Sequence, residues 1–401
     1  MILRLIMNNS IQNSEVLIGD YIKTLRKKHK IKKSEYLPSG NIPVIDQGQD
    51  FIAGYINDTE RNYDGQLPVI IFGDHTCTLK YVDFPFAVGA DGTQLIRPTK
   101  DFDIRYLYYA LRNLPLEHFG YQRHFKYLKT SKIFCPPMPI QHKIAAVLST
   151  YDDLIENNTR RIKILEDMAQ TLYQEWFVHF RFPGHKKVPM VESPLGPIPR
   201  GWKVVPASEA MFINPKTSVP RDTIKPFVPM KSATERSMLI TEIEARKGNS
   251  GAKFKNGDTL FARITPCLEN GRTGFVQFLP DDDKVAFGST EFIVLRSKTL
   301  NPYFVYLLAQ IRDFRENAIK SMTGSTGRQR VVNECFNDYF LPNPSSDILG
   351  QFESIVAPMF RKVQNLSEKN TNLQQTRDLL LPKLISGEID VSELDIDTDS
   401  I

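Results

Sequence analysis

The fold is decided by the stretch VIIFGDHT at residues 69–76, because a second stretch of the same kind, DTLFARIT, recurs at residues 258–265. Each is followed by a similar string, FAVGADGTQLIRP at residues 86–98 and VAFGSTEFIVLRS at residues 285–297. Short apolar runs of this kind, bounded by glycine and polar turn residues, predict β-strands. The same strand plan therefore occurs twice in one chain.

The similarity between the halves continues beyond these strands. Gly89 and Gly288 match at an offset of 199 residues, and so do Arg97 and Arg296. A helix, a basic stretch that contains glycine, a proline-rich break and a long helical segment then follow in the same order in both halves. Single short strands resemble one another by chance, but a matched order of five features predicts an internal duplication.

A long helical segment ends each half, and its apolar residues recur every 3.5 residues over more than four heptads. This period is typical of a coiled coil, in which one asparagine in the apolar stripe commonly sets the register. We expect the two helices to pair with each other; separate packing of each helix on its neighbouring domain is the alternative. The residues expected at this contact are Leu148, Ile155, Asn158, Ile162, Leu165, Leu172, Trp176, Met359, Val363, Leu366, Asn370, Leu373, Leu380 and Leu384.

The predicted fold class is α/β (α+β), with two similar globular domains separated by two long antiparallel helices in a pseudo-twofold repeat. A segment rich in proline and glycine lies between the halves and is predicted to be a linker. The predicted parts are a first domain at 1–138, a central helix at 139–180, the linker at 181–201, a second domain at 202–344, a C-terminal helix at 345–387 and an acidic tail at 388–401.

The charge is unevenly distributed along the 401 residues. Seven Lys or Arg and no acid lie between Lys23 and Lys33, whereas the last 14 residues carry six acids and no base. Without that tail the formal charge rises from +5 to +11. This pattern favours a polyanionic partner, with a solvated basic loop and a frayed terminus as the plainer interpretation.

Several classes of protein are disfavoured by missing motifs. The four cysteines lie far apart without a CxxC pair, which argues against a disulfide scaffold or a zinc site and suggests a reducing compartment. The sequence has no GxxxxGK[ST] loop, no HExxH and no run of 18 apolar residues. We therefore expect a cytoplasmic, multidomain protein with no membrane span, no metal and no catalytic constellation of its own.

A duplicated basic protein suits a ligand that itself repeats along one axis, and duplex DNA is such a ligand. Two domains on a rod of about 60 Å would read two short blocks separated by up to roughly 17 unread base pairs. Because the domains are similar but not identical, the blocks are expected to differ, which makes the target asymmetric.

The whole chain resembles the specificity subunit of type I restriction–modification systems. The strings that carry the resemblance are GNIPVIDQGQDFIAGYI, IFGDHT, LFARITPCLENG, FGSTEFIVLR, AQTLYQEWFVHF and LLLPKLISGEI. The resemblance implies two target recognition domains for a bipartite sequence in double-stranded DNA, and long helices that dock two methyltransferase subunits. It also implies that a motor-nuclease restriction subunit joins the complex, that S-adenosylmethionine binds the methyltransferase, and that this chain has no cofactor or activity of its own.

The residues expected to read DNA are polar or basic side chains on loops at matched positions of the two halves, since Arg and Lys recognise guanine and Asn and Gln recognise adenine. For any one of them, a solvated charge or a turn hydrogen bond is the alternative. They are Asp74, His75, Thr76, Lys80, Thr93, Gln94, Arg123, His124, Lys126, Arg263, Thr265, Arg272, Ser289, Thr290, Arg328, Gln329 and Arg330.

Two other functions stay open on the sequence alone. One is a stand-alone regulatory protein that binds DNA without an enzyme partner, and the other is an enzyme whose motifs have diverged. Residues Lys23 to Lys33 are expected to contact phosphates, which position a protein on DNA without specifying sequence.

Overall fold

The structure is a computed structural model that describes residues 14–99, 101–116, 124–235, 237–325 and 327–398. It separates into two compact units, Met1–Ile155 together with Asn372–Ile401, and Glu156–Thr371. The boundaries fall inside the two long helices rather than at their ends, so each helix contributes residues to both units. This differs from the predicted division, in which the helices form segments of their own.

The described residues of the first unit form three sheets. Its strands pair in the orders β2-β8-β5-β6, β4-β3-β7 and β1-β9, and β3 and β7 are parallel. The strands are β1 (Ser14–Leu17), β2 (Ile22–Thr24), β3 (Ile42–Ile45), β4 (Gly54–Ile56), β5 (Val69–Gly73), β6 (Leu79–Val82), β7 (Ala87–Val88), β8 (Thr93–Pro98) and β9 (Lys132–Cys135). The helices are α1 (Ile18–Tyr21), α2 (Ile104–Arg112), α3 (Phe125–Thr130) and α4 (Met138–Tyr173), the last of which continues into the second unit.

The second unit repeats this plan. Its strands pair in the orders β13-β20-β17-β18, β15-β14-β19-β16, β12-β21 and β10-β11, and β14 and β19 are parallel. The strands are β10 (Met190–Val191), β11 (Ile198–Pro199), β12 (Lys203–Pro206), β13 (Met211–Ile213), β14 (Ile224–Val228), β15 (Glu244–Lys247), β16 (Ala252–Phe254), β17 (Thr259–Ala262), β18 (Thr273–Phe275), β19 (Ala286–Gly288), β20 (Phe292–Ser297) and β21 (Phe340–Asn343). The helices are α5 (Ala207–Ala210), α6 (Pro302–Gln310), α7 (Arg312–Lys320) and α8 (Ser346–Ile385).

Short helical turns complete the described secondary structure. They are the 3-10 turns Lys33–Glu35, Thr59–Arg61, His185–Lys187, Met230–Ser232 and Asn333–Phe336, and the π turn Gln174–Val178 that follows α4.

The sheets of the two units correspond strand by strand. The order β2-β8-β5-β6 matches β13-β20-β17-β18, β4-β3-β7 matches β15-β14-β19, and β1-β9 matches β12-β21. A parallel strand pairing also recurs, between β3 and β7 and between β14 and β19. The predicted α/β (α+β) class and the internal repeat are confirmed.

The inner strand β5 of the sheet β2-β8-β5-β6 is buried on both faces, which explains its continuous apolar sequence. In β5, Ile70 and Phe72 belong to one apolar cluster while Val69 and Ile71 belong to another. Successive side chains of a strand point to opposite faces, so β5 lies between two layers of the core. The residues that follow Gly73 are therefore attached to a strand that is fixed by the core.

The segment at 181–201, predicted to be a linker, is packed rather than free. Its prolines do exclude a long helix, but Phe182 and Ile198 are 3% exposed and belong to the core of the second unit. The Phe182 ring stacks on Trp202 with centroids 5.4 Å apart. Burial of aromatic area fixes this segment although its backbone cannot form regular structure.

The acidic tail is also packed over its described part. Val391 is 2% exposed in the core of the first unit, and Ile389 packs against the same cluster. The Lys143 ammonium donates a 2.6 Å hydrogen bond to the Ser392 carbonyl. Ile389 and Val391 alternate with Glu388 and Asp390, so these two apolar side chains pack against the core while the two acidic residues are exposed.

Within the described residues, none of the helices combines the length and the apolar character needed to cross a membrane.

Candidate nucleic-acid interface

The turn that follows β5 is held by a residue that the sequence prediction missed, Gln47. The His75 N–H donates to Gln47 Oε1 at 3.0 Å, and the Thr76 hydroxyl donates to the Gln47 carbonyl at 2.6 Å. At Gly92, where φ is +69°, a Cβ would lie 2.7 Å from the Gln47 amide and 2.8 Å from His75. Glycine is needed here both for the left-handed conformation and for this close approach.

Asp74 acts as a brace in the same turn. Its side chain is only 5% exposed, and its carboxylate accepts a 2.9 Å hydrogen bond from the Phe125 N–H at the start of α3. The Gln94 amide donates to the other carboxylate oxygen at 3.5 Å. Backbone bonds link Asp74 to Gly92, from the Asp74 N–H at 2.7 Å, and to His124, from the His124 N–H at 2.8 Å. The structure thus brings four of the predicted residues, Asp74, His75, Gln94 and His124, into one cluster.

Lys80 and Thr93 differ from the prediction that they are solvent-facing readers. Lys80 is 3% exposed, and its ammonium donates to the carbonyls of Asp46 at 2.8 Å and Asp50 at 2.5 Å. Burial lowers the pKa of Lys80. Thr93 is 1% exposed, and its carbonyl accepts a hydrogen bond from the Lys27 ammonium. Both residues therefore support the loops instead of facing a ligand.

Residues around α3 complete the first unit's surface. Lys126 is exposed on this helix, whereas His124 is 3% exposed just before it. Arg123, another predicted reader, lies outside the described residues. Lys126 is consequently available to a polyanion, and His124 contributes to the packing of the turn.

Arg263 holds the position in the second unit that Asp74 holds in the first. Its N–H donates to the Glu291 carbonyl at 2.9 Å, and its carbonyl accepts from the Val331 N–H at 2.9 Å, which repeats the two backbone bonds of Asp74. One Arg263 Nη donates to the Val331 carbonyl at 3.1 Å, while its Nε has no hydrogen-bond partner among the described residues. This pair of backbone bonds, which we call the backbone frame, thus holds a carboxylate in one unit and a guanidinium in the other.

Thr265 and Arg272 lie on the loop that joins β17 to β18. The Thr265 N–H donates to the Gln329 carbonyl at 3.2 Å, and Thr265 is 9% exposed. The Arg272 Nε lies 3.7 Å from a carboxylate oxygen of Glu235. The loop is therefore tied to the returning segment that carries Gln329, and Arg272 is partly neutralised.

The predicted readers on the two remaining segments differ in how their side chains are bonded within the chain. The Ser289 hydroxyl accepts a 3.2 Å hydrogen bond from the Glu291 N–H, and the next residue, Thr290, is exposed. Arg330 donates to the Glu291 carboxylate from Nη at 2.6 Å and from Nε at 2.9 Å, a bidentate pair that commits its guanidinium. Arg328 is exposed and forms no ion pair with the residues that the structure describes. Arg328 is thus the better candidate for base contact.

A cleft of about 760 Å³ opens beside Arg263 in the second unit. Its walls carry three cations, hydroxyl and amide groups and a few apolar side chains, and no acid contributes to them among the described residues. The lining residues are Asn214, Pro215, Lys216, Thr217, Ser218, Gly251, Ala252, Lys253, Arg263, Thr290, Phe292 and Val294. Lys216 and Lys253 were not among the predicted residues, since neither lies in a basic run of the sequence.

The long helices pair in both units. In the second unit the Asn158 amide donates to the Asn370 side-chain oxygen at 2.9 Å, and in the first the Arg377 guanidinium forms an ion pair with Asp152. The Tyr109 hydroxyl donates to Asp152 at 2.6 Å, which ties α2 to this part of the pair. The other residues predicted at the helix contact are buried or partly buried: Leu148, Ile155, Ile162, Leu165, Leu172, Trp176, Met359, Val363, Leu366, Leu373, Leu380 and Leu384.

The described residues contain no cluster of His, Cys, Asp or Glu that could hold a metal ion. The loops around Asp74 and Arg263 are held by backbone hydrogen bonds and carry polar and cationic side chains, the type of group that contacts base edges and phosphates.

Comparison with known proteins gives a consistent result. A sequence model of the type I restriction modification DNA specificity domain matches residues 13–167. The chain is 30% identical over 281 residues to the MjaIX type I restriction enzyme specificity subunit of Methanocaldococcus jannaschii, a match that covers 67% of this chain and 62% of that protein. It is 32% identical over 205 residues to the EcoEI specificity subunit of Escherichia coli, covering 48% of this chain and 34% of that one. The match therefore spans less than two thirds of either relative.

A solved structure has a similar fold. The S subunit of the type I restriction–modification system of M. genitalium superimposes with a TM-score of 0.57 and 14% identity, over 94% of this chain and 97% of that one. At this identity the similarity supports the two-unit fold.

Proposed function

Since the chain belongs to the family of type I restriction–modification specificity subunits, we propose that it selects the DNA sequence on which such a complex acts. Each unit reads one block of a bipartite target in double-stranded DNA. The two blocks differ in sequence, so the target is asymmetric.

One observation carries this proposal: Asp74 and Arg263 occupy the same backbone frame in the two units with opposite charge. A guanidinium pairs with the acceptor groups of guanine, whereas a carboxylate accepts from the cytosine amino group or braces a neighbouring reader. Gln94, which bonds to Asp74, offers the amide that pairs with adenine. The two units thus have surfaces with the same backbone structure but different side chains. Such surfaces suit a split target whose two blocks differ in sequence.

The proposed partners are two methyltransferase subunits and a restriction subunit. Large apolar side chains exposed on the long helices support protein docking there, because such side chains are favoured at interfaces. Ile164 on α4 is 57% exposed, Met168 47%, and Leu379 on α8 69%. On this proposal S-adenosylmethionine binds to the methyltransferase, and the present chain supplies recognition without catalysis.

The test is co-expression of the chain with a methyltransferase subunit of a type I restriction–modification system, followed by genome-wide mapping of modified adenines. The proposal predicts one split motif with two unlike blocks and a constant spacer. Binding of DNA by the chain without any methylation would instead favour the stand-alone regulatory protein.

A further inference from the structure

We propose that the cleft beside Arg263 holds a run of DNA phosphodiester groups, with Lys216 and Lys253 as its phosphate contacts. This inference rests on the proposed function, since it assigns a part of the DNA surface to side chains that the sequence analysis did not select.

The lining of the cleft suits phosphates. Lys216 and Lys253 form no ion pair with other residues in the described ranges, so their charges are available to a ligand. Exposed hydroxyl groups of Ser218 and Thr290 stand on the same walls. Arginine, lysine, hydroxyl and amide groups contact phosphate oxygens in protein–DNA complexes, whereas lysine is depleted from protein–protein interfaces. The composition therefore favours a nucleic-acid backbone over an acidic protein.

The first unit has the same backbone arrangement at this place, although its lysine is bonded within the chain. The Leu25 N–H donates to the Leu95 carbonyl at 2.9 Å, and the Asn214 N–H donates to the Val294 carbonyl at 2.8 Å. Residues 25–29 and 214–218 are thus equivalent segments that leave β2 and β13 beside the central strands. Lys27 and Lys216 fall at the same position of these segments. The first segment belongs to the basic run between Lys23 and Lys33, so both units carry a cationic side chain at this position.

In the first unit, the lysine at this position, Lys27, is bonded within the chain. It donates to the Thr93 carbonyl, and burial lowers its pKa. Lys216 is exposed at the equivalent place and has no such bond among the described residues. The second unit therefore offers the cation to an external acceptor, and the open volume beside it is large enough for a sugar–phosphate backbone.

The experiment measures binding of the full chain, assembled with its methyltransferase subunits, to a duplex that contains the mapped target, as a function of salt. Lys216→Gln and Lys253→Gln should each reduce the slope of log K against log salt by about 0.9, the value for one lost phosphate contact. The methylated motif should stay the same, because phosphate contacts do not specify sequence. Lys253→Arg, which keeps the positive charge, should have the same slope as wild type.

The control is Lys203→Gln, which removes an exposed lysine of the same unit from β12 and should leave the slope unchanged. Unchanged slopes in both cleft variants, with a wild-type complex that binds its target, would overturn the cleft assignment and leave the proposed function standing. Loss of methyltransferase co-purification with normal DNA binding would overturn it in favour of a protein ligand. A wild-type complex that recognises no motif would overturn the proposed function. In that case the salt slopes measured on a random duplex would still show whether Lys216 and Lys253 contact phosphates.

Discussion

Asn158 of α4 and Asn370 of α8 lie opposite each other, with their side-chain amides joined by a 2.9 Å hydrogen bond. They are 8% and 9% exposed, and Asn370 also donates to the Thr159 hydroxyl at 3.2 Å. A polar pair in an otherwise apolar helix contact favours one register, because any slip would bury an amide against apolar side chains.

Asn158→Ala should lower the free energy of unfolding of the second unit by about 1–3 kcal/mol, since the buried Asn370 amide loses this partner. The double variant Asn158→Leu/Asn370→Leu should recover most of that loss because both polar groups are gone. Thermal unfolding of the full chain measures both. Asn372→Ala, at an exposed position of the same helix, is the control. Equal stability of Asn158→Ala and wild type would show that the amide pair has no energetic role.

Leu165→Asp should break the helix pair. Leu165 packs against the core of the second unit, and a carboxylate there loses the burial of the leucine and its own hydration, a penalty of about 2 kcal/mol or more. We expect a lower melting temperature and loss of co-purification with the methyltransferase subunit. The neighbouring Ile164→Asp, at a side chain that is 57% exposed, should keep the melting temperature of wild type. Intact assembly of Leu165→Asp would contradict the assigned helix contact.

Glu166 predicts a pH dependence. Its carboxylate accepts from the Ser237 hydroxyl at 2.6 Å and the Met238 N–H at 2.7 Å, and burial raises its pKa. A raised carboxyl pKa means that the folded state binds the proton more tightly than the unfolded state. The resulting stabilisation is present at pH values below the ordinary pKa and is lost as the pH rises through the raised one.

Glu166→Gln should therefore melt at a higher temperature than wild type at pH 7, and the difference should shrink as the pH falls towards 4. Asp167→Asn, at an exposed neighbour paired with Lys163, should show no such trend. A stability difference that is the same at both pH values would mean that ionisation of Glu166 does not matter.

Gln47→Ala should weaken target binding by up to about tenfold, the equivalent of about 1.4 kcal/mol, since the His75 N–H loses its acceptor and the turn is no longer held. Gln49→Ala, at an exposed position two residues on, should bind as wild type. Binding is measured on a duplex with the mapped target. Equal affinity of the two variants would remove Gln47 from the positioning of the turn.

The repeat, the fold class and the helix stripes were predictable from sequence because they depend on periodicity and order. The burial of Leu148 and Leu384 was predictable because both belong to an apolar stripe with the 3.5-residue period of a coiled coil. The burial of the strand Val69–Gly73 was predictable from its continuous apolar run between turn residues.

Other features depend on contacts distant in sequence, which local patterns do not reveal. The sequence predicts that Lys80 faces solvent, yet its ammonium donates hydrogen bonds to two backbone carbonyls of the loop after β3. Gln47 has no motif of its own, and its role follows only from the approach of the turn after β5. In the same way, the burial of Phe182 in a proline-rich segment depends on its stacking against Trp202.

On the proposed function, each unit reads its own block of the target. The most direct measurement maps methylated adenines in cells that express the methyltransferase with wild-type chain, with Gln94→Ala or with Arg328→Ala. Each variant should relax or change one block of the split motif and leave the other block and the spacer intact, and the two variants should affect different blocks. Changes in the same block for both variants, or in both blocks for either one, would contradict the assignment of one reading surface to each unit.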